Sequence, residues 1–212
     1  MLQQFSQTAM PAGNLSNGFW EYLLVTNPDE SINGMVKAEK ELFYQHFHQK
    51  IAIKTKPHIT VANFLAFESM EETIIKWLQR ICGQQYSFPV MLNNYGGFPP
   101  HTIYLRVQNP QPFLNLAKQL KVIDNFVRDN GCPPARLTKN PHMTIARRLP
   151  EEIYSKALID YAQRDFHATF VAKELILLKR RHQLDACQHL GVFRFLPDVV
   201  NTDTAHQSVL AF

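Results

Sequence analysis

The segments KPHITVANF (56–64) and NPHMTIARR (140–148) each write proline, histidine, a spacer, threonine, an aliphatic residue and alanine, with His58 and His142 84 positions apart. From the proline onward, PHITVANFL and PHMTIARRL agree at five of nine positions. A chain that repeats such a stretch either places two like segments in like surroundings or builds one site from both. In an extended strand successive side chains face opposite sides, so His58 and Thr60 share one face while Ile59 and Val61 share the other. His142 and Thr144 stand in the same way against Met143 and Ile145. Each motif therefore reads as a strand with an imidazole and a hydroxyl on one side and aliphatics on the other.

The flanks repeat as well. FWEYLLV (19–25) reads as a buried strand, after which Asn27-Pro28 opens a helix through His46 with Asp29 and Glu30 in its first turn. Behind the first motif, Ile74, Ile75, Trp77, Leu78 and Ile81 recur at helical spacing, and Ser69 with Glu72 forms a capping box. Behind the second, Pro150 starts a helix with Ile153, Ala157, Leu158 and Tyr161 on one face. Strand-like runs follow each helix. In the first half they are YSFPVMLNN and HTIYLRVQ around a YGGFPP loop; in the second, FHATFVA with ELILLKR, then GVFRFL. A helix over 112–127 closes the first half before NGCPP breaks the chain. Two copies at this period are too few and too long for a solenoid and predict two lobes facing one another. The expected organisation is a flexible polar leader (1–17), one domain of two pseudo-repeat lobes (18–196) and a loose tail (197–212).

Composition narrows the class. With 45% hydrophobic and 19% charged residues in 212, the chain has material for a real core, and its net charge of +4 suits an anionic partner such as phosphate or RNA. Cys82, Cys132 and Cys187 are an odd number lying far apart, which predicts reduced thiols in a cytoplasmic protein. The start lacks a basic n-region with an apolar core, and no run approaches the ~18 apolar residues of a membrane helix, so neither secretion nor membrane insertion is expected.

Two such strands related by a pseudo-two-fold would gather two imidazoles and two hydroxyls around one point. Imidazole titrates near pH 6.5, so one ring can act as neutral base while the other acts as cationic acid, which phosphodiester cleavage or its reversal needs together. The hydroxyls of Thr60 and Thr144 would hold nonbridging phosphate oxygens, and a nearby arginine would neutralise developing charge.

The doubled motif and its matching context resemble the 2H phosphoesterases, a family that includes 2'-5' RNA ligases and 2',3'-cyclic phosphodiesterases and carries two H-x-[ST] copies. The resemblance covers about residues 18–196. It implies a bilobal α+β fold, with two antiparallel sheets related by a pseudo-two-fold, helices outside and a central cleft. It also implies catalytic His58 and His142, phosphate-binding Thr60 and Thr144, and a basic residue at Arg147. No metal or cofactor is expected. The implied substrates are RNA ends or small cyclic or 2'-5'-linked nucleotides, hydrolysed or, in reverse, joined, by a monomer.

Other residues compete for a role. Phe98, His101 and Tyr104 surround the Gly-Pro-rich loop and are candidates to line the cleft, with aromatics such as Tyr95 and Phe98 able to stack on a base. A third H-x-T, His167 and Thr169, lacks the preceding proline and is read as structural. The basic run Lys179 to His182 reads as an exposed hairpin end rather than a phosphate contact. Two rival readings remain: a module that binds RNA ends or nucleotides in the same cleft without turnover, and a metal hydrolase using the histidines as ligands. The absence of an H-E-x-x-H motif or clustered carboxylates weighs against the second.

Overall fold

The computed structural model describes residues 18–182 and 185–197; the leader 1–17 and residues 198–212 of the expected tail lie outside them. The aromatic run becomes β1 (Phe19–Thr26), with Tyr22 and Leu24 fully buried. Helix α1 (Glu30–Phe47) begins after Asp29, whose carboxylate accepts the Ile32 N–H at 3.0 Å. Its buried residues, Ile32, Val36, Lys40 and Phe43, form one stripe. A lysine thus occupies a core position between valine and phenylalanine.

The remaining elements are β2 (Ile59–Phe67), α2 (Glu71–Cys82), β3 (Phe88–Phe98), β4 (Thr102–Val107), α3 (Gln111–Gln119), α4 (Lys121–Asp129), β5 (Arg136–Leu137), β6 (His142–Ala146), α5 (Glu151–Tyr161), β7 (His167–Ala172), β8 (Glu174–Arg180) and β9 (Gln188–Arg194). Three local expectations change. Ser69 does not cap α2; it lies in a 3-10 turn (Glu68–Met70), and Glu72 pairs instead with Lys76 on the exposed face. The 112–127 helix is two helices meeting at Leu120. YGGF is not loop but the end of β3. A Cβ at Gly96 would lie 2.8 Å from the Tyr104 ring, and one at Gly97 would lie 2.5 Å from Tyr154 Oη. The glycines there admit packed aromatic rings rather than a turn.

All pairings between strands are antiparallel, in the order β7-β3-β4-β6-β2-β1-β8-β9, with β5 on β2. The order divides into two four-stranded ladders, β7-β3-β4-β6 and β2-β1-β8-β9, joined where Ile59 pairs with Met143. Helices α1 and α5 pack on the first ladder, α3 and α4 on β2, and α2 on β9 of the second. This is the α+β architecture that the resemblance implies, except that the two expected antiparallel sheets form one nine-stranded sheet, its two ladders continuous at one residue pair. The lobes are not the two halves of the chain, however. Strand β2 is flanked by β1 and the seam, so hairpin β3–β4 crosses to the free edge of β6, while β8–β9 returns to the free edge of β1.

The basic run is also placed differently. Lys179 is buried, 2.7 Å from both Glu68 and Glu71, and Arg180 is buried, 2.6 Å from Glu21; Arg181 and His182 are exposed. Half of the expected hairpin end is therefore a paired interior. Cys82 and Cys132 are buried and Cys187 exposed, all three free. Among the described residues no helix is long and apolar enough to cross a membrane.

Candidate active site

The seam lies at the two motifs. Carrying the Ile59–Met143 register one residue each way sets His58 across from Thr144 and Thr60 across from His142. Directly opposed residues on an antiparallel pair stand roughly 5 Å apart and diagonal ones roughly 7–8 Å, a span in which two imidazoles can flank one phosphate. Ile59 and Met143 are fully buried, whereas His58, Thr60, His142 and Thr144 are all half-buried on the opposite face.

Each motif carries the same irregularity. Leu24 pairs with Ala62 and Val25 with Thr60, leaving Val61 out of the β1–β2 register; Ile103 pairs with Ala146 and Tyr104 with Thr144, leaving Ile145 out of β4–β6. A bulge directly after each threonine increases the local twist and turns the strand at that point. The Val61 carbonyl accepts the Thr138 N–H at 2.9 Å, continuing the β2–β5 pairing by one residue. The Ile145 carbonyl accepts from the Lys40 ammonium at 3.2 Å, beside the Thr144 carbonyl at 3.1 Å.

The imidazoles are held alike. His58 Nδ1 lies 2.8 Å from the Lys56 carbonyl and His142 Nδ1 lies 2.7 Å from the Asn140 carbonyl. A carbonyl oxygen only accepts, so Nδ1 carries the hydrogen in both rings, and Nε2 is the nitrogen that holds a lone pair in the neutral ring and a proton in the cationic one. Burial depresses both pKa values, opposed in each case by that carbonyl bond. At His58 the nearby charges of Lys40, Arg147 and His142 depress it further. Around His142 the neighbours are rings: Phe98 edge-on at 4.8 Å and Tyr104 at 5.0 Å, the two stacked on each other at 4.2 Å.

Of the residues singled out by sequence, the fold gathers His58, Thr60, His142 and Thr144 at the seam. Arg147 is half-buried just beyond β6 and lies near enough to His58, Lys40 and Glu21 to shift their titration. Phe98 and Tyr104 pack on His142. His101 sits in the β3–β4 turn with its ring 3.3 Å from the Thr102 hydroxyl, and its carbonyl accepts the Leu149 N–H, anchoring the chain after Arg147. His167 and Thr169 are exposed on β7, the outermost strand of its ladder and three strands from β6. Sequence reasoning missed Lys40 and Glu21. Lysine amid an apolar helical stripe was the available signal for the first; Glu21 lies inside an apolar strand and is bound by Arg180 and Asn63.

The profile of the 2'-5' RNA ligase superfamily matches residues 28–184, and the chain belongs to that superfamily. The fold agrees. A protein of Thermus thermophilus matches with a TM-score of 0.61 at 15% identity, covering 84% of this chain and 99% of that one. Escherichia coli LigT complexed with 3'-AMP matches with a TM-score of 0.59 at 14% identity, covering 84% and 98%. At such identities the likeness speaks for the fold alone. No curated protein matches the sequence significantly. Membership in the superfamily supports an activity of the phosphodiesterase type.

Proposed function

We propose that the protein is a metal-independent phosphodiesterase acting on 2',3'-cyclic phosphates or 2'-5' linkages at RNA ends, with the reverse reaction making a 2'-5' bond. The observation that carries the proposal is the mirrored pair of Nδ1-to-carbonyl bonds, which leaves two Nε2 atoms free on one face of the seam. LigT has been crystallised with 3'-AMP, a ribonucleotide with a phosphate on its ribose, in keeping with a nucleotide substrate class.

In hydrolysis, His58 takes the base role, because the cations around it favour the neutral ring. Its Nε2 withdraws a proton from water as the oxygen attacks phosphorus. His142 protonates the departing ribose oxygen from its own Nε2. The cations that depress His58 do not act on His142, so His142 is the ring that keeps its proton. Thr60 and Thr144 donate to the nonbridging oxygens, and Arg147 offsets the charge that builds on them. When a 5'-hydroxyl takes the place of water, His58 takes its proton, the oxygen bonds to phosphorus, the bond to the ribose 3' oxygen breaks with a proton from His142, and a 2'-5' linkage results. Cleavage of that linkage by the neighbouring 3'-hydroxyl runs the same steps backward with the histidine roles exchanged.

The test is turnover of 2',3'-cyclic nucleotides and of a short RNA ending in cyclic phosphate, in EDTA, with product identified by chromatography. Sustained turnover in chelator is the expected result. Saturable binding with no product would make the protein a binding module, and activity lost to chelator and restored by a divalent ion would make it a metal hydrolase.

A further inference from the structure

The pseudo-two-fold supplies an internal control. The carbonyl of each bulged residue finds its partner outside the ladder in which the bulge lies. At Val61 the partner is a backbone amide, that of Thr138, whereas at Ile145 it is an ammonium, that of Lys40. Lys40 is 2% exposed, and its three donors go to Thr144 O, Ile145 O and, at 3.3 Å, Thr55 Oγ1. Among the described residues no carboxylate meets it. At the equivalent Val61 oxygen a neutral amide serves without the cost of desolvating a charge. The charge itself therefore needs a use.

Its neighbours indicate one. Lys40 links α1 to the backbone of the second motif and to Thr55, three residues before His58. Its charge and that of Arg147 both act on His58. Lys40 itself lines a pocket of about 410 Å³ together with Lys37 and Glu41 of α1 and Lys54, Thr55 and Lys56 of the loop before His58. Glu21, the buried carboxylate on which Arg147 also acts, is held by Arg180 and Asn63. The field at the seam is thus positive on the His58 side.

We propose that Lys40 is a positioning residue of the phosphodiester site: it holds the second motif to α1 at the bulge and supplies a fixed positive charge that keeps His58 neutral and draws the phosphate. This rests on the functional reading above for its purpose. Its test reads binding and titration rather than turnover, so it stands or falls separately.

The histidine C–H resonances of wild type, Lys40→Met and Lys40→Arg are followed by NMR against pH, with inorganic sulfate as the anion because its charge is constant over the range. In Lys40→Met the pKa of His58 rises while that of His142 stays, and sulfate binds about fivefold more weakly or worse, the scale of one cation removed at this range. Lys40→Arg keeps both properties near wild type. Burial lowers the Lys40 pKa to about 8, so sulfate binding to the wild type should itself weaken as pH rises through that value, a readout that needs no variant to fold. Unchanged His58 titration and sulfate affinity in Lys40→Met, with only the melting temperature lowered, would overturn the proposal. So would wild-type sulfate affinity that is flat between about pH 7 and 9, where the imidazoles are already neutral.

Discussion

The two sides of the seam share a backbone and differ in surroundings. Around His58 stand Lys40 and Arg147, and across from Thr60 on the ladder is Val25; around His142 stand Phe98 and Tyr104, the latter paired with Thr144. The tautomer-setting bond, the bulge and the opposed threonine are the same on both sides. The repeated parts thus hold the two rings alike, and on the proposed reading the unrepeated parts set which is base and which is acid. Environments that push two titratable groups apart are what assign acid and base to a pair of like residues. Symmetry in the strands and asymmetry in the neighbours are complementary requirements of such chemistry.

The largest effect should come from the shared part. His58→Ala and His142→Ala are each expected to lower kcat for cyclic phosphate hydrolysis by about 10²- to 10⁴-fold. His167→Ala, on the exposed outer strand, should leave it unchanged. A comparable loss in all three would break the assignment of the seam as the site.

Next come the threonines proposed to hold the phosphate. Thr60→Val and Thr144→Val should each reduce kcat by roughly 10- to 10²-fold, toward the lower end of the loss seen when one donor to a developing oxyanion is removed. Similar losses at both would sharpen the two-fold picture, whereas loss at one only would show that the phosphate sits to one side.

The pH profile separates the halves. Catalysis needs one ring protonated and the other neutral, and both pKa values are depressed by burial. For kcat/KM, which reports the free enzyme, activity should therefore peak on the acid side of the ordinary imidazole value of about 6.5. It falls at higher pH as the acid loses its proton and at lower pH as the base gains one. Arg147→Gln should move the His58 limb upward, because a cation that favours the neutral ring has gone. A profile centred above pH 7 would contradict the burial of the pair.

The smallest effect belongs to the aromatic side. Tyr104→Leu should raise KM for a nucleotide about 5- to 10-fold, the loss of one stacking face, and leave sulfate affinity unchanged. A change in kcat alone would instead make Tyr104 a packing residue for His142.

Much of this was legible beforehand. The strand, helix and strand-pair order follows from hydrophobic periodicity, which local sequence carries directly. The four motif residues were found because a repeat of five in nine positions is visible without any structure. Ser69 failed as a cap because Met70, packed into the core, set the start of α2 one residue later, after a 3-10 turn. The YGGF segment read as a loop because glycine signals both turns and close ring packing, and only the position of Tyr104 and Tyr154 separates the two. Lys179 and Arg180 read as exposed because their carboxylates, Glu68, Glu71 and Glu21, lie more than a hundred residues away in sequence.

By itself the sequence determined that two like strands would each present a histidine and a threonine on one face, since side-chain alternation is a property of the strand alone. Tertiary structure decided the rest. It exchanged the hairpins between ladders, set the bulges, and brought Lys40 of α1 beneath a strand 104 residues away. Those outcomes depend on which free edges and which unsatisfied carbonyls meet when the layers pack. No local pattern in the chain encodes such pairings, because each partner is chosen by what the others leave unpaired.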